Sequence, residues 1–151
     1  MKSLFLSALL IVTSCSAYTA ELKSWEFVQS VGGIAIYEPY QEQGIYYLPI
    51  KVDVSGLQEI THKPTMLNSA LMCSRTGHLI VGNEVHVSIY TSVIDKTASN
   101  NCKSIPMLNI KEGKYSVYYN TEIDGKHLLG EITIGSNKSL NQTGANNAPP
   151  G

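Results

Sequence analysis

The residues able to do chemistry in this chain are few, and tyrosine leads them. Nine tyrosines occur. Tyr37, Tyr40, Tyr46 and Tyr47 crowd one short stretch together with Glu38 and Glu42. Tyrosine gives a large, stiff contact area with a polar tip, so it is enriched on recognition surfaces. An acidic, aromatic connection suits a cationic protein partner or a sugar. Tyr40, Glu42, Tyr46 and Tyr47 are therefore the first candidates for partner binding. Glu122 and Asp124, in a second acidic connection from Asn120 to Gly125, are the second choice. The competing use of these rings is ordinary packing on a covered sheet face.

The other reactive side chains do not assemble into a known pattern. The histidines are His62, His78, His86 and His127, and none stands in H-E-x-x-H or H-x-H spacing. A hairpin through Gly82-Asn83 brings His78 towards His86, where two imidazoles either share a metal or simply meet solvent; solvent is the simpler reading. There is no G-x-S-x-G, P-loop or G-x-G-x-x-G. The acids are scattered, although two carboxyl groups distant in sequence still meet in space in many glycosidases. The expectation is a binding protein without cofactor or metal, with a spatially assembled hydrolase as the lesser alternative.

Three cysteines are present: Cys15, Cys73 and Cys102. Cys15 falls at the end of a segment with a secretory pattern. One lysine, Lys2, precedes an apolar run from Leu4 to Val12, and small residues follow to Ala17. The run is too short to span a bilayer, which takes about twenty residues. Two processing routes fit. Val12-Thr13-Ser14-Cys15 resembles a lipobox, with cleavage before Cys15 and lipidation of that residue. Alternatively, signal peptidase cuts after Ala17. Both routes remove Cys15 from the thiol count and leave Cys73 and Cys102 as a pair. In an exported protein such a pair is expected to be a disulfide. It closes a loop of about thirty residues and contributes about 3–4 kcal/mol through chain entropy.

Composition then bounds the object. The formal charge is −1, with no basic stripe, so nucleic acid is a poor partner. No further apolar run is long enough to cross a membrane. The boundaries read as a leader at 1–17, one domain at 18–135 and a disordered, Asn/Pro/Gly-rich tail at 136–151.

Period-two alternation dominates the domain. Tyr46 to Val54 puts Tyr46, Leu48, Ile50, Val52 and Val54 on one face, with Tyr47, Pro49, Lys51 and Asp53 on the other. Pro49 cannot donate to a ladder and marks an edge or a bulge. Glu84–Ile94 turns Val85, Val87, Ile89, Thr91 and Val93 inward. Lys114–Asn120 buries Tyr115, Val117 and Tyr119 and points Tyr118 outward. His127–Ile134 buries Leu128, Ile132 and Ile134. Trp25–Ser30, Ile34–Glu38, Ala70–Cys73, His78–Val81 and Ile105–Ile110 read as shorter strands. Gly32-Gly33 and Gly82-Asn83 read as tight hairpin turns. The fold class is all-β: an antiparallel β-sandwich of about seven to nine strands with one disulfide.

By type, the chain resembles the small periplasmic inhibitor and immunity proteins of bacteria, which neutralise cell-wall-degrading toxins or lysozymes. The leader, the Cys73–Cys102 pair, the small β domain and the lack of catalytic motifs carry the resemblance. Glu112-Gly113-Lys114-Tyr115 departs from the Ser-Gly-x-x-Tyr loop of one lysozyme-inhibitor family. The resemblance implies an exported, periplasmic, stoichiometric inhibitor that plugs an enzyme cleft with a loop. The alternative is an envelope lipoprotein or accessory sandwich, anchored at Cys15, that binds a structural partner or a glycan.

Overall fold

A computed structural model describes residues 19–67, 69–93, 99–121 and 124–135. The expected leader with Cys15, the tail from 136, and Glu122 lie outside the described residues. The elements run β1 (Glu21–Leu22), α1 (Trp25–Ser30), β2 (Ala35–Ile36), β3 (Tyr40–Glu42), β4 (Ile45–Leu48), β5 (Ile50–Lys51), β6 (Met72–Val81), β7 (Glu84–Ser92), β8 (Ile105–Met107), β9 (Gly113–Thr121) and β10 (Gly125–Ile134).

The large sheet is organised around β7. On one side β7 pairs antiparallel with β6 through the Gly82-Asn83 turn. On the other side it meets β1 antiparallel at Tyr90 and Thr91, and β9 in parallel from Glu84 to Val87. β10 completes the sheet antiparallel to β9. Two small sheets, β3-β4-β8 and β2-β5, supply the opposing layer. The result is the expected all-β sandwich, with ten strands among the described residues and one parallel pairing.

The core follows the alternation. Val85, Val87, Ile89, Val117 and Tyr119 of the large sheet meet Leu48, Ile50, Val52, Val54, Ile105 and Met107 from the opposing layer. Each fully buried Val or Ile contributes about 1.5–3 kcal/mol through area removed from water. A solvent-screened ion pair on the outer face adds much less. The inward row therefore sets the register of β7 and β9.

Pro49 lies where the long strand breaks. β4 pairs with β8 up to Leu48, and β5 pairs with β2 from Ile50. The strand changes partner at the residue that has no N–H to donate, while the Pro49 carbonyl accepts from Tyr37 N–H at 3.0 Å.

Five sequence expectations are corrected. Trp25–Ser30 is a helix, not a strand. Ser24 caps it by accepting from Phe27 N–H at 3.2 Å, and Glu26 suits its first turn. Gly32-Gly33 ends that helix instead of making a hairpin, and Gly33 N–H donates to the Val28 carbonyl at 2.9 Å. Val93 is 57% exposed because β7 ends at Ser92. Leu128 is 61% exposed because the β9–β10 register shifts between Leu128 and Gly130. That bulge exchanges faces, so Leu129 packs against the core in its place. Asp53 is also buried despite its expected outward face. Its carboxylate accepts from Ser55 N–H and Oγ and from Leu57 N–H, at 3.0, 2.6 and 3.1 Å, and so organises a turn.

The disulfide joins Cys73 to Cys102 with the Cα atoms 5.3 Å apart, a relaxed separation. Beside it Cys73 N–H donates to the Ser99 carbonyl at 2.7 Å. The bridge fastens the connection between β7 and β9 to the start of β6.

Candidate functional site

The tyrosine-rich stretch forms a hairpin, not an irregular loop. Gln43 and Gly44 hold φ values of 50° and 81°, the backbone of a two-residue turn with positive φ at both positions. Gly44 has open space around the position of a Cβ, so its freedom of φ is the reason for glycine there. The register pairs Tyr40 with Tyr47, Gln41 with Tyr46 and Glu42 with Ile45.

Strand alternation divides the four first-choice residues. Tyr40, Glu42 and Tyr47 share the outer face, and Tyr46 points to the inner one. Tyr46 lies opposite buried Met107 of β8 and packs against the core. Its ring anchors the hairpin. On the outer face the Tyr40 and Tyr47 rings stack, with centroids 5.3 Å apart and planes at 14°. Tyr47 also lies opposite exposed Pro106. The outer face therefore carries the row Tyr40–Tyr47–Pro106, with Glu42 one step nearer the turn. Tyr40 is 43% exposed, and Tyr37 and Leu108 are exposed close by in sequence.

Pro106 and Leu108 escaped the sequence reading. The alternation Ile105-Pro106-Met107, with its two flanking residues buried, was the signal that points Pro106 outward.

The second-choice acids fare differently. Glu122 lies outside the described residues. Asp124 is engaged within the fold: its carboxylate accepts from Trp25 N–H at 2.8 Å, and its own N–H donates to Thr121 Oγ1 at 3.0 Å. Trp25 stacks on His127 at 4.6 Å and leans on Tyr119 at 5.7 Å. Tyr119 donates its hydroxyl to the Lys23 carbonyl at 2.7 Å. Burial raises the pKa of that phenol well above its ordinary value, so it stays a donor.

The outer face of the large sheet holds a second polar group. Glu84 accepts from Lys126 at 2.8 Å and from His86 at 2.9 Å. His86 stacks on Tyr118 at 5.8 Å, and Lys126 lies 4.7 Å above the same ring. Lys126 first, and His86 after it, hold the Glu84 carboxyl below its ordinary range. The register pairs His78 with Val87 and His86 with Leu79, which places the two imidazoles on opposite faces. Among the described residues, no group of three or more His, Cys, Asp or Glu side chains is arranged to hold a metal ion.

The fold and this hairpin define a disulfide-bonded β-sandwich that presents an aromatic, acidic ridge. No family model matches the chain, and no curated protein or solved structure is significantly similar to it.

Proposed function

We propose that the chain is an exported binding protein, a periplasmic inhibitor or immunity protein that blocks a cell-wall-degrading enzyme with hairpin β3–β4. The observation that carries this reading is the stacked Tyr40–Tyr47 pair beside Pro106 and Glu42, on a hairpin whose inner face is anchored by Tyr46. Such a ridge is ordered before it meets a partner. Little side-chain entropy is then lost on binding, and the rings supply the contact area. A carboxylate at the tip suits a cleft carrying cationic groups. The formed Cys73–Cys102 bridge supports an oxidising compartment, and the apolar segment from Leu4 to Val12 supports export.

The test begins with capture of partners from a bacterial envelope extract on the disulfide-bonded protein. The expected catch is a cell-wall hydrolase that forms a one-to-one complex and loses turnover of its substrate in it. The double substitution Tyr40→Ala with Glu42→Ala should weaken that complex at least a hundredfold and leave the melting temperature within a few degrees. A complex that ignores the double substitution rules out the hairpin as the inhibitory element. Turnover of peptidoglycan by the protein alone would replace the inhibitor reading with an enzymatic one.

A further inference from the structure

We propose a second binding site, for a single neutral sugar ring, in a trough on the outer face of the large sheet. Strand register builds it. Arg75 of β6 lies opposite Tyr90 of β7, Gly77 opposite Ser88, and Leu79 opposite His86. Residues two apart on a strand share a face, so these pairs stand side by side on the side away from the core. The middle pair is short and the pairs flanking it are tall. The result is a cavity of about 340 Å³, lined by all of these residues and by Asn120 near the end of β9. That is at the small end for ligand sites, which run from about 300 to 1,000 Å³.

Walls and floor differ in chemistry. On one side the Arg75 guanidinium lies over the Tyr90 ring at 3.6 Å, a cation–π contact that holds the two side chains as one wall. On the other side exposed Leu79 stands beside His86, whose ring is held by Glu84 and Tyr118. The floor is open because Gly77 has no side chain. A Cβ added there would come within 3.2 Å of the Tyr90 ring and 3.8 Å of Ser88 Cβ, in the space between the walls. Ser88 Oγ donates to the Asn120 carbonyl at 3.1 Å and keeps its lone pairs, and the Asn120 amide adds a donor and an acceptor. The His86 wall has unmet hydrogen-bonding capacity: Nε2 meets Glu84, and Nδ1 has no partner in the protein. A sugar ring has apolar C–H faces and a rim of hydroxyls that both donate and accept. Set on edge in the trough, it lays its faces against Tyr90 and Leu79 and its rim against Ser88 and Asn120. An anion has no donor for these acceptor groups. The trough lies on the large sheet and the tyrosine hairpin in the opposing layer, so this site does not rest on the inhibitor reading.

The experiment is an NMR titration of the disulfide-bonded protein with D-glucose, D-galactose and N-acetyl-D-glucosamine in parallel. Glycerol is the control that has hydroxyls and no ring. The expected result is saturable shifts at the Gly77, Ser88 and Asn120 amides with at least one sugar and none with glycerol. Asn120→Ala should weaken binding at least fivefold and leave the melting temperature within a few degrees. Gly77→Val, which fills the floor, should abolish binding; if that variant fails to fold, Asn120→Ala still decides. Added sodium chloride should leave the affinity unchanged, because the ligand carries no charge to screen. The proposal is overturned by a lack of saturable response to every sugar, by an equal response to glycerol, or by shifts confined to the Tyr40–Tyr47 hairpin. An Asn120→Ala protein that binds like the wild type overturns it as well.

Discussion

Two acids with the same apparent character serve different ends in this protein. Glu42 stands exposed near a hairpin turn, whereas Asp124 spends its carboxylate on the Trp25 N–H at the start of α1. Asp124→Ala should destabilise the fold by about 1–2 kcal/mol, the usual loss when a helix start is deprived of its acceptor. Urea unfolding followed by Trp25 fluorescence would measure it, and an unchanged midpoint would refute the anchoring role. Glu84 makes a pH-dependent case. Its folded pKa is depressed below the ordinary 4.5, chiefly by Lys126. Its ion pairs therefore stabilise the protein above that value, and the stability is lost as pH falls through the lowered pKa. Glu84→Gln should reduce the melting temperature slightly at neutral pH in low salt. Once pH has fallen below the lowered pKa, both proteins carry a neutral side chain and the two melts should coincide. A difference that persists at that pH would trace the effect to packing instead.

At the scale of elements, α1 shows how one short segment misleads. Gly33 has φ of 87°, and an added Cβ would run into the Thr61 side chain. Gly33→Ala should therefore destabilise by about 1–3 kcal/mol, through strain and the displaced neighbour. Chemical denaturation would show it, and a neutral substitution would mean that the 61–62 segment yields freely. Read as sequence, Trp25–Val31 has the aromatic and β-branched residues of a strand, and two glycines after it look like a hairpin. Six residues are too few for helical periodicity to stand out. What decides for the helix is tertiary: Asp124, about a hundred residues away, accepts from its first N–H. The inward rows of β7 and β9 were legible because Val85–Ile89 and Tyr115–Tyr119 alternate without interruption. β10 was legible only in part, since a bulge that exchanges Leu128 for Leu129 leaves no mark in composition. The hairpin site was half visible. Tyrosines and acids gave its position, but only the Gln43-Gly44 turn decides which rings share a face. Arg75 over Tyr90 joins residues of two strands, and nothing local in either strand announces it.

For the molecule as a whole, the Cys73–Cys102 bridge is the largest single covalent restraint among the described residues, with a sequence separation of 29. Replacing both cysteines by serine should lower stability by about 3–4 kcal/mol on the chain-entropy account. Thermal or urea unfolding of the oxidised and double-serine proteins would measure the loss, and a difference below about 1 kcal/mol would show that strand pairing alone restrains the connection. The parallel contact of β7 with β9 gives that bridge a further meaning. Parallel neighbours cannot be joined by a tight turn, and the chain between these two leaves for the opposite layer, lays down β8 beside β4, and returns. Local hairpins such as β6–β7 form without waiting for the rest, but β9 finds its place only after this excursion is complete. Oxidation shortens that search by tethering the excursion to a hairpin already in place. The strand order therefore predicts that the local hairpins β6–β7 and β9–β10 form early and that β9 docks on β7 last, so reduction of the bridge should slow that docking more than hairpin formation.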